Sequence, residues 1–522
     1  MLKKYAVLCA VCLGTVLSAY VSSSVNIALP NIMASLNFNM DSVVWVSLSY
    51  MLPYGSTLPL TGKLGDQLGV KTMYLSGMVV FTIASILCGM ATSSTAMLIF
   101  RVIQGLGAGM LLPNAMTIVA RTFEPHERGQ ALGFWSAMAA GGSALGPTVG
   151  GYFIEMFNWQ SIFFSIIPVA ILSILFAFLV IPSFERNSEA QVDYLGAVLL
   201  TTSIAAMLIA LNQGQKEGWT SLYITLLFYL SFASFIFFLV AELRVDHPMV
   251  DLTLFKNLNF TAANVVGFIT FVAMYGCLFL LPFFLKSILN YNSITAGLML
   301  LPYTITMVLF APIGGWISDR IGSRIPAFLG ICLITLSLYS FQSITADFGP
   351  YDFFYRLVVF GIGLGFTMSP LTNCAIASLP HDKVGVGSGV FNLAKIIGGS
   401  VGAVLVETLL SNREVFHRYI TVEHINAAVK SPQEIFHLLQ TLWSNQGMDL
   451  ADISEATHGW VTGQGFLPSQ YAAFKLVLAK LVEKHVTVLS FQDVFHAMAL
   501  LSFCGGLMAL LIKTRPAALN RK

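Results

Sequence analysis

Charge is what this sequence has least of. Lys, Arg, Asp and Glu together make up 10% of its 522 residues, where a soluble domain carries about 25%. The net charge is only +2, and the basic residues stand singly in short polar breaks instead of in a block that could hold a phosphate backbone, which excludes nucleic acid as a partner. All seven cysteines (Cys9, Cys12, Cys88, Cys277, Cys332, Cys374, Cys504) fall inside apolar runs. Even Cys9 and Cys12, spaced like a redox pair, therefore read as packing residues. There is no Walker A loop and no cluster of His, Asp and Glu that could hold a metal. The GVGSG of 385–389 lies at the edge of an apolar run without the strand that a nucleophile elbow needs. A soluble enzyme, an ATP-driven pump and a disulfide-stapled secreted domain are excluded, and a membrane-embedded enzyme lacks its catalytic residues; no cofactor is expected.

What the chain has instead is oil: 56% of it is hydrophobic, and the mean hydropathy is +0.78. Residues 5–40, 72–100, 129–154, 156–184, 257–285 and 287–318 contain no Asp, Glu, Lys or Arg, and each run is long enough to cross a bilayer. Dividing at the polar breaks predicts an all-α polytopic membrane protein of fourteen spans, near 6–31, 43–62, 73–91, 95–117, 130–154, 161–182, 194–212, 222–241, 259–285, 294–316, 326–344, 352–377, 386–410 and 493–512. Lys3 and Lys4 precede an apolar stretch that runs past residue 30 without a clear small-residue cleavage site, so the first span reads as uncleaved. Basic residues between spans lie mainly after even-numbered ones (Lys63, Lys71, Arg121, Arg128, Arg186, Arg244, Lys256, Arg320, Arg324, Lys383), and both termini are basic. That asymmetry predicts that the termini face the cytoplasm. The hydrophilic stretch 411–492 then faces outward, with short amphipathic helices predicted over Gln433–Trp443 and Tyr471–Val486. It is either a self-contained cap or a docking surface for a partner.

An internal duplication sets the architecture. GKLGDQLGVK at 62–71 and GWISDRIGSR at 315–324 share the pattern G-x-x-x-D-x-x-G-x-[KR]. One helix after each copy comes a second matching element: Arg101 with Gly105, Gly107, Gly109 and Pro113, then Arg356 with Gly361, Gly363, Gly365 and Pro370. The copies lie after spans two and ten, not six spans apart, so two spans have been inserted between the repeats. The predicted divisions are an N-terminal six-helix bundle (1–190), two inserted transmembrane helices (191–245) and a C-terminal six-helix bundle (246–522) that includes the external loop 411–492.

Parallel six-helix repeats are the plan of the major facilitator superfamily, and here the resemblance becomes specific. GKLGDQLGVK resembles that superfamily's loop motif after helix two, RVIQGLGAG its helix-four motif, and GGSALGPTVGG at 141–151 the helix-five motif of its antiporters. Fourteen spans with two central extras resemble the drug:proton antiporter branch, and the long segment before the last helix is similar to that of the EmrB-type multidrug exporters. The resemblance implies a multi-pass protein of the cytoplasmic (inner) membrane that moves lipophilic small molecules outward while protons move inward. It also implies a role in antibiotic resistance, a membrane-fusion adaptor and an outer-membrane channel as partners beside the lipid bilayer, and a proton gradient as the energy source. An importer or exporter of one metabolite or siderophore, and a non-transporting scaffold built on 411–492, stay open.

The residues to watch follow from the motifs. Gly62, Asp66, Gly69 and Lys71, with Asp319 and Arg320 in the second copy, are expected to latch the joint between bundles, Asp66 by accepting hydrogen bonds from a helix N-terminus or a facing cation, Gly62 and Gly69 by letting the loop turn. Asp319 is either a second latch or a remnant of the duplication. Gly142, Gly146 and Gly150, every fourth residue, clear one helix face for a close neighbour, and Pro147 weakens the backbone ladder there. Gly398 and Gly402 are their expected counterparts. Arg101, near the outer side of its span, must face the protein interior. It either serves proton coupling or anchors structure, and Arg356 reads as one half of an interfacial pair with Asp352. The family's first-helix motif resembles Asn26 to Pro30 here but has Val21 where an aspartate is usual, which leaves Glu155 and Glu407 as candidate proton carriers or as interfacial carboxylates. Asn26, Tyr50, Tyr54, Gln104, Asn114, Met368, Asn392 and Lys395 are the expected cavity residues, and Lys395 either attracts an anionic substrate or pairs with an acid.

Overall fold

The structure is a computed structural model that describes residues 2–39, 42–184, 193–245, 248–291, 293–380, 383–428 and 468–513. Regular structure among these residues is helical throughout. In chain order the helices are α1 (Leu2–Ser35), α2 (Trp45–Ser56), α3 (Leu58–Leu68), α4 (Val70–Gly89), α5 (Ser94–Thr122), α6 (Arg128–Met156), α7 (Ser161–Ser165), α8 (Ile167–Val180), α9 (Tyr194–Glu217) and α10 (Leu222–Glu242). The chain continues with α11 (Leu258–Ser287), α12 (Ser293–Met299), α13 (Leu301–Ile321), α14 (Arg324–Ser340), α15 (Pro350–Ala377), α16 (Val384–Ala428) and α17 (Pro468–Ala509).

Twelve helical segments among the described residues are long and apolar enough to cross a membrane. Two more rods complete the fourteen expected spans. The rod α2–α3 is interrupted at Thr57, and α6 is diluted by small residues, yet its 29 residues reach about 44 Å at 1.5 Å per residue, more than the roughly 30 Å of hydrocarbon. Three rods break for one reason. Thr57, Ile166 and Leu300 each stand two residues ahead of a proline (Pro59, Pro168, Pro302) that begins the next segment, because proline offers no N–H to the preceding turn. Thr57 compensates by donating its hydroxyl to the Pro53 carbonyl at 2.6 Å.

The last two spans differ from their predicted bounds. Instead of 386–410, α16 runs for 45 residues; instead of 493–512, α17 begins at Pro468, with its membrane-length stretch at Val482–Ala509. The segment predicted as a separate helix over Tyr471–Val486 is thus the first part of α17, since no breaker interrupts its helical pattern. Near the ends of their membrane-length portions the two helices stay joined, with Asp493 accepting from His417 at 2.8 Å and lying 3.5 Å from Arg413. Gln433–Trp443 lies outside the described residues.

The two repeats pack alike. Gly142, Gly146 and Gly150 of α6 bring that helix against α1, where a Cβ at Gly142 would meet the Val16 carbonyl at 2.7 Å and one at Gly146 the Ser23 hydroxyl at 1.8 Å. Ser24 fills the space by donating to the Gly146 carbonyl at 3.0 Å. In the second repeat Gly398 and Gly402 press α16 against the backbone of Phe268 and Val272 in α11 in the same way, as expected. The helix α6 continues unbroken past Pro147 to Met156. The inserted helices are joined to each other by reciprocal bonds, Ser203 to the Ser231 carbonyl and Ser231 to the Ser203 carbonyl, both 2.9 Å. Their inner member, α9, wedges at the seam: a Cβ at Gly55 of α2 would meet both Leu208 of α9 and Ile396 of α16.

Candidate functional site

The two repeats meet across the seam at the end of the bundle that carries Lys4, Lys63, Lys71, Arg121, Arg128, Arg320 and Lys383, the basic end. Asp66, on the last turn of α3, is buried there, 4% exposed. One of its oxygens accepts from the Arg121 guanidinium at 2.7 Å, and the other from the backbone N–H of Val386 at 3.3 Å. Val386 lies in the first turn of α16, in the opposite repeat, where unpaired amides and the helix dipole favour a negative group.

Asp319, on the last turn of α13 and 6% exposed, repeats the arrangement. It accepts from the backbone N–H groups of Gly129 and Gln130 at 2.9 and 3.0 Å, the first turn of α6, again across the seam. Asn373 donates to it at 3.0 Å. The second copy is therefore a full partner in the contact and not a relic: two carboxylates, each from the end of one repeat's second helix, sit on the N-terminus of the other repeat's fifth.

Glycines allow the approach. A Cβ at Gly62 would stand 2.2 Å from the Gly385 carbonyl oxygen, and one at Gly315 2.1 Å from that of Gly129; one turn further on, Gly389 lies against Leu58 and Pro59, and Gly133 against Ala311. Gly62 thus lies inside α3 and serves a helix crossing, which corrects its expected role in the loop. The tight turns belong to Gly69 and Gly322, whose φ values of 99° and 88° suit a residue without a Cβ. The sequence reasoning missed Arg121, Asn373, Gly129, Gly133, Gly385 and Gly389 as site residues. The signal was there in the equal spacing of RGQALG and GVGSG, each opening the fifth helix of its repeat.

Lys71 and Arg320 touch neither carboxylate. Lys71 donates to the Phe178 carbonyl at 2.8 Å, and Arg320 lies over the Trp316 ring at 4.0 Å. Other cations fasten the same end: Lys63 donates to the Pro248 carbonyl at 3.0 Å, while Lys4 pairs with Glu127 and Lys383 with Asp251. Burial works to raise the Asp251 carboxyl, but bonds from Lys383 and from the hydroxyl and amide of Thr253 outweigh it and hold the group below the ordinary carboxylate range. The Lys4 bond does the same for Glu127.

Toward the opposite end, Arg101 is 1% exposed. It donates to the Val46 carbonyl at 2.9 Å and to Gln104 at 2.6 Å, and stacks 4.3 Å above Tyr50. Gln104 passes the chain on to Ser85 at 2.7 Å. Tyr50 shares a bond with Ser18 at 3.1 Å and stacks on Tyr54, ring centres 5.8 Å apart. Arg101 thus ties α2, α4 and α5 together through neutral groups. Arg356, its counterpart, is buried and donates to the carbonyls of Ser340 and Asp352 and to Ser343. The Asp352 carboxylate, which also accepts from the Gly349 amide, pairs with Arg356 at 3.9 Å, so the expected pair is present, and nearer neutral acceptors make its buried arginine an anchor as well.

The remaining expected residues scatter. Lys395, half-buried on α16, has its ammonium 4.9 Å from the centre of Phe391 and 5.3 Å from that of Phe271, and among the described residues no acid pairs with it. Asn392 is buried, donating to the Ser388 carbonyl at 2.9 Å with its own carbonyl oxygen unpartnered. Met368 is buried on α15. Asn114 donates to the carbonyls of Thr61 and Met110, which places it between α3 and α5 beside the Asp66 contact. Asn26 is exposed and accepts from Ser47 at 2.8 Å. Glu155 is exposed near the end of α6, and Glu407 is half-buried on α16.

Two pseudo-equivalent six-helix units crossed at one end, with a helix pair between them, form an arrangement that comparison with known proteins can identify. The sequence profile of the Major Facilitator Superfamily matches residues 11–403. The riboflavin transporter RibZ of Clostridioides difficile is 32% identical over 422 residues, 80% of this chain and 91% of its own. The multidrug export protein EmrB of Haemophilus influenzae is 29% identical over 464 residues, 88% of this chain and 90% of its own. The solved structure of the human organic anion transporter MFSD10 (TETRAN) superposes with a TM-score of 0.61 at 14% identity, over 96% of this chain and 99% of that one. By the matched profile and the repeated helix order together, the chain belongs to the Major Facilitator Superfamily.

Proposed function

We propose that this protein is a proton-coupled exporter of lipophilic small molecules across the cytoplasmic membrane, with the basic end and both termini in the cytoplasm. The observation that carries the reading is the matched pair of seam contacts, Asp66 on the first turn of α16 and Asp319 on the first turn of α6. Each is a buried charge held by backbone dipoles across a surface of opposed glycines, close enough to hold one end shut and small enough to separate as a rigid unit. Breaking both while a second contact forms at the other end gives alternating access. Export as the direction is supported by the Gly142, Gly146, Gly150 face on α6 and by the 29% identical EmrB.

In this reading the substrate sits between the repeats, where Tyr54, Phe271 and Phe391 supply apolar surface and Lys395 favours molecules that carry a negative group. Glu407 carries the proton. It lies twelve residues beyond Lys395 on α16, roughly 18 Å along the helix axis, so loading one group does not neutralise the other. Glu155, exposed at the helix end, is the weaker candidate. An adaptor and an outer-membrane channel would engage the side on which α16 and α17 extend beyond their membrane-length portions. Transport of one specific metabolite is the second reading, favoured by the 32% identity to RibZ over most of both chains.

The test is accumulation of lipophilic anions and cations in cells, with and without a protonophore. Wild-type cells should hold less of the compound than vector controls, and the protonophore should abolish the difference. Asp66→Asn should reduce export at least tenfold, Lys395→Ala should lose anions selectively, and Glu407→Gln should remove the pH dependence. If Lys395→Ala and Glu407→Gln both export as wild type does at every pH, the assignment of the cavity charges is wrong.

A further inference from the structure

Beside the Asp319 contact the basic end contains a cavity of about 590 Å³, lined by Arg128 and Pro125 ahead of and within the start of α6, Lys256 and Asn259 around the start of α11, Asn373 of α15, and Lys513 just past α17. Most polar groups in its wall are already matched. Asn259 clamps the chain at Lys513, accepting from the Lys513 amide at 2.7 Å and donating to its carbonyl at 3.2 Å. Both oxygens of Asp319 are taken by Gly129, Gln130 and Asn373.

The cations are not matched. Arg128 is 9% exposed, its Nε is buried without a hydrogen-bond partner, and no described residue hydrogen-bonds its guanidinium or lies within ion-pair distance of it; the acid that acts on its charge is Asp319, whose oxygens are already taken. Lys256 and Lys513 are exposed and pair with no described acid. Three positive side chains thus converge on one cavity in which the single carboxylate is already engaged. A buried guanidinium left without an acceptor is costly, and planar N–H forks match phosphate oxygens.

We propose that this cavity binds a phosphate-bearing anion, held by Arg128, Lys256 and Lys513. The consequence reaches the seam, because Arg128 is the first residue of α6 and the next two residues donate their amides to Asp319. An anion seated on Arg128 bridges α6 to the starts of α11 and the end of α17 in the other repeat and so favours the state in which the basic end is closed. Two sources present this chemistry at a cytoplasmic surface, a soluble phosphorylated metabolite and the headgroup of an anionic lipid.

The experiment uses the full chain in nanodiscs. In neutral phosphatidylcholine, inorganic pyrophosphate is titrated by calorimetry and thermal unfolding is followed in parallel; in a second arm, phosphatidylglycerol replaces part of the phosphatidylcholine without added pyrophosphate. Saturable pyrophosphate binding, weakened about tenfold in Arg128→Gln, corresponds to the loss of one charge-assisted contact and supports the soluble source. A rise in melting temperature with phosphatidylglycerol that Arg128→Gln removes supports the lipid source. Because Arg128→Gln also touches the seam, the double variant Lys256→Gln and Lys513→Gln, which leaves it intact, should weaken either response severalfold. If neither anion shifts wild-type stability, or if both variants respond as wild type does, the site does not exist. These readouts are independent of transport, so an exporter without the site and a site without export are separable results.

Discussion

A methyl group at Gly62 would come within 2.2 Å of the Gly385 carbonyl oxygen, and one at Gly129 would meet both Asp319 at 2.5 Å and the Gly315 carbonyl at 2.7 Å. In each case a backbone carbonyl lies within 2.7 Å, so the movement of a side chain alone cannot relieve the clash. Overpacking of this kind costs about 1–3 kcal/mol. It falls only on the state in which the basic end is closed, so it should shift the closed-to-open ratio about 5- to 150-fold. Gly62→Ala and Gly129→Ala are therefore expected to retain helix content and surface expression while losing most of their transport. Spin labels on the ends of α3 and α16 should report a longer mean distance than in wild type; an unchanged distance distribution in both variants would show that these glycines do not set the closure. At this scale Asp66 and Asp319 were legible, because a repeated motif marks them. Their partners were not, since backbone amides leave no signature in side-chain identity.

Between elements, the link from α10 to α11 is fastened by the Asp251–Lys383 pair and the bond from Lys63 to Pro248. The folded chain holds Asp251 ionised to lower pH than an ordinary aspartate, whose pKa is about 3.9. The stability that the pair contributes is therefore complete above that ordinary value and is lost as pH falls through the depressed folded one. Thermal unfolding of wild type and Asp251→Asn should differ by a constant amount from pH 8 to about pH 5 and begin to draw together only as pH falls below about 4. A gap that instead widened on acidification would mean that the pair does not hold the link. Helix ends were the least legible elements. Span lengths follow from the apolar runs, but α16 and α17 continue past their apolar portions because their polar extensions keep helical pattern without a breaker, and each has the other to lie against.

Across the whole molecule, Thr117 of α5 and Ser388 of α16 face each other at the closed end, their hydroxyl oxygens 3.4 Å apart. Cysteines at both positions should join the repeats under oxidation, arrest export, and release it on reduction; continued export by the oxidised double variant would show that these helices need not part. In the proposed alternating access the rigid unit is each repeat: within repeats the small-residue faces of α6 on α1 and α16 on α11 are packed backbone to backbone, whereas between repeats the basic end is held by two carboxylates, opposed glycines and the hydroxyls of Ser369 and Ser388. The inserted pair α9–α10 adds a wedge at that seam without altering the repeat plan.

The sequence by itself determined the membrane class, the order of the spans, the duplication with its two inserted helices, and the two copies of the motif that carries Asp66 and Asp319. Each of these is written in local patterns: apolar length, charge spacing and repeated glycines. Tertiary structure alone decided what each polar group inside the bundle faces. It put Asp66 and Asp319 on helix starts in the opposite repeat, gave Arg101 neutral acceptors in place of acids, added three neutral acceptors to the Arg356–Asp352 pair, set Lys395 between two phenylalanine rings, and left the Arg128 Nε without a hydrogen-bond partner. A buried charge takes its meaning from atoms distant in the chain, and in a molecule with so few charges no local pattern names them.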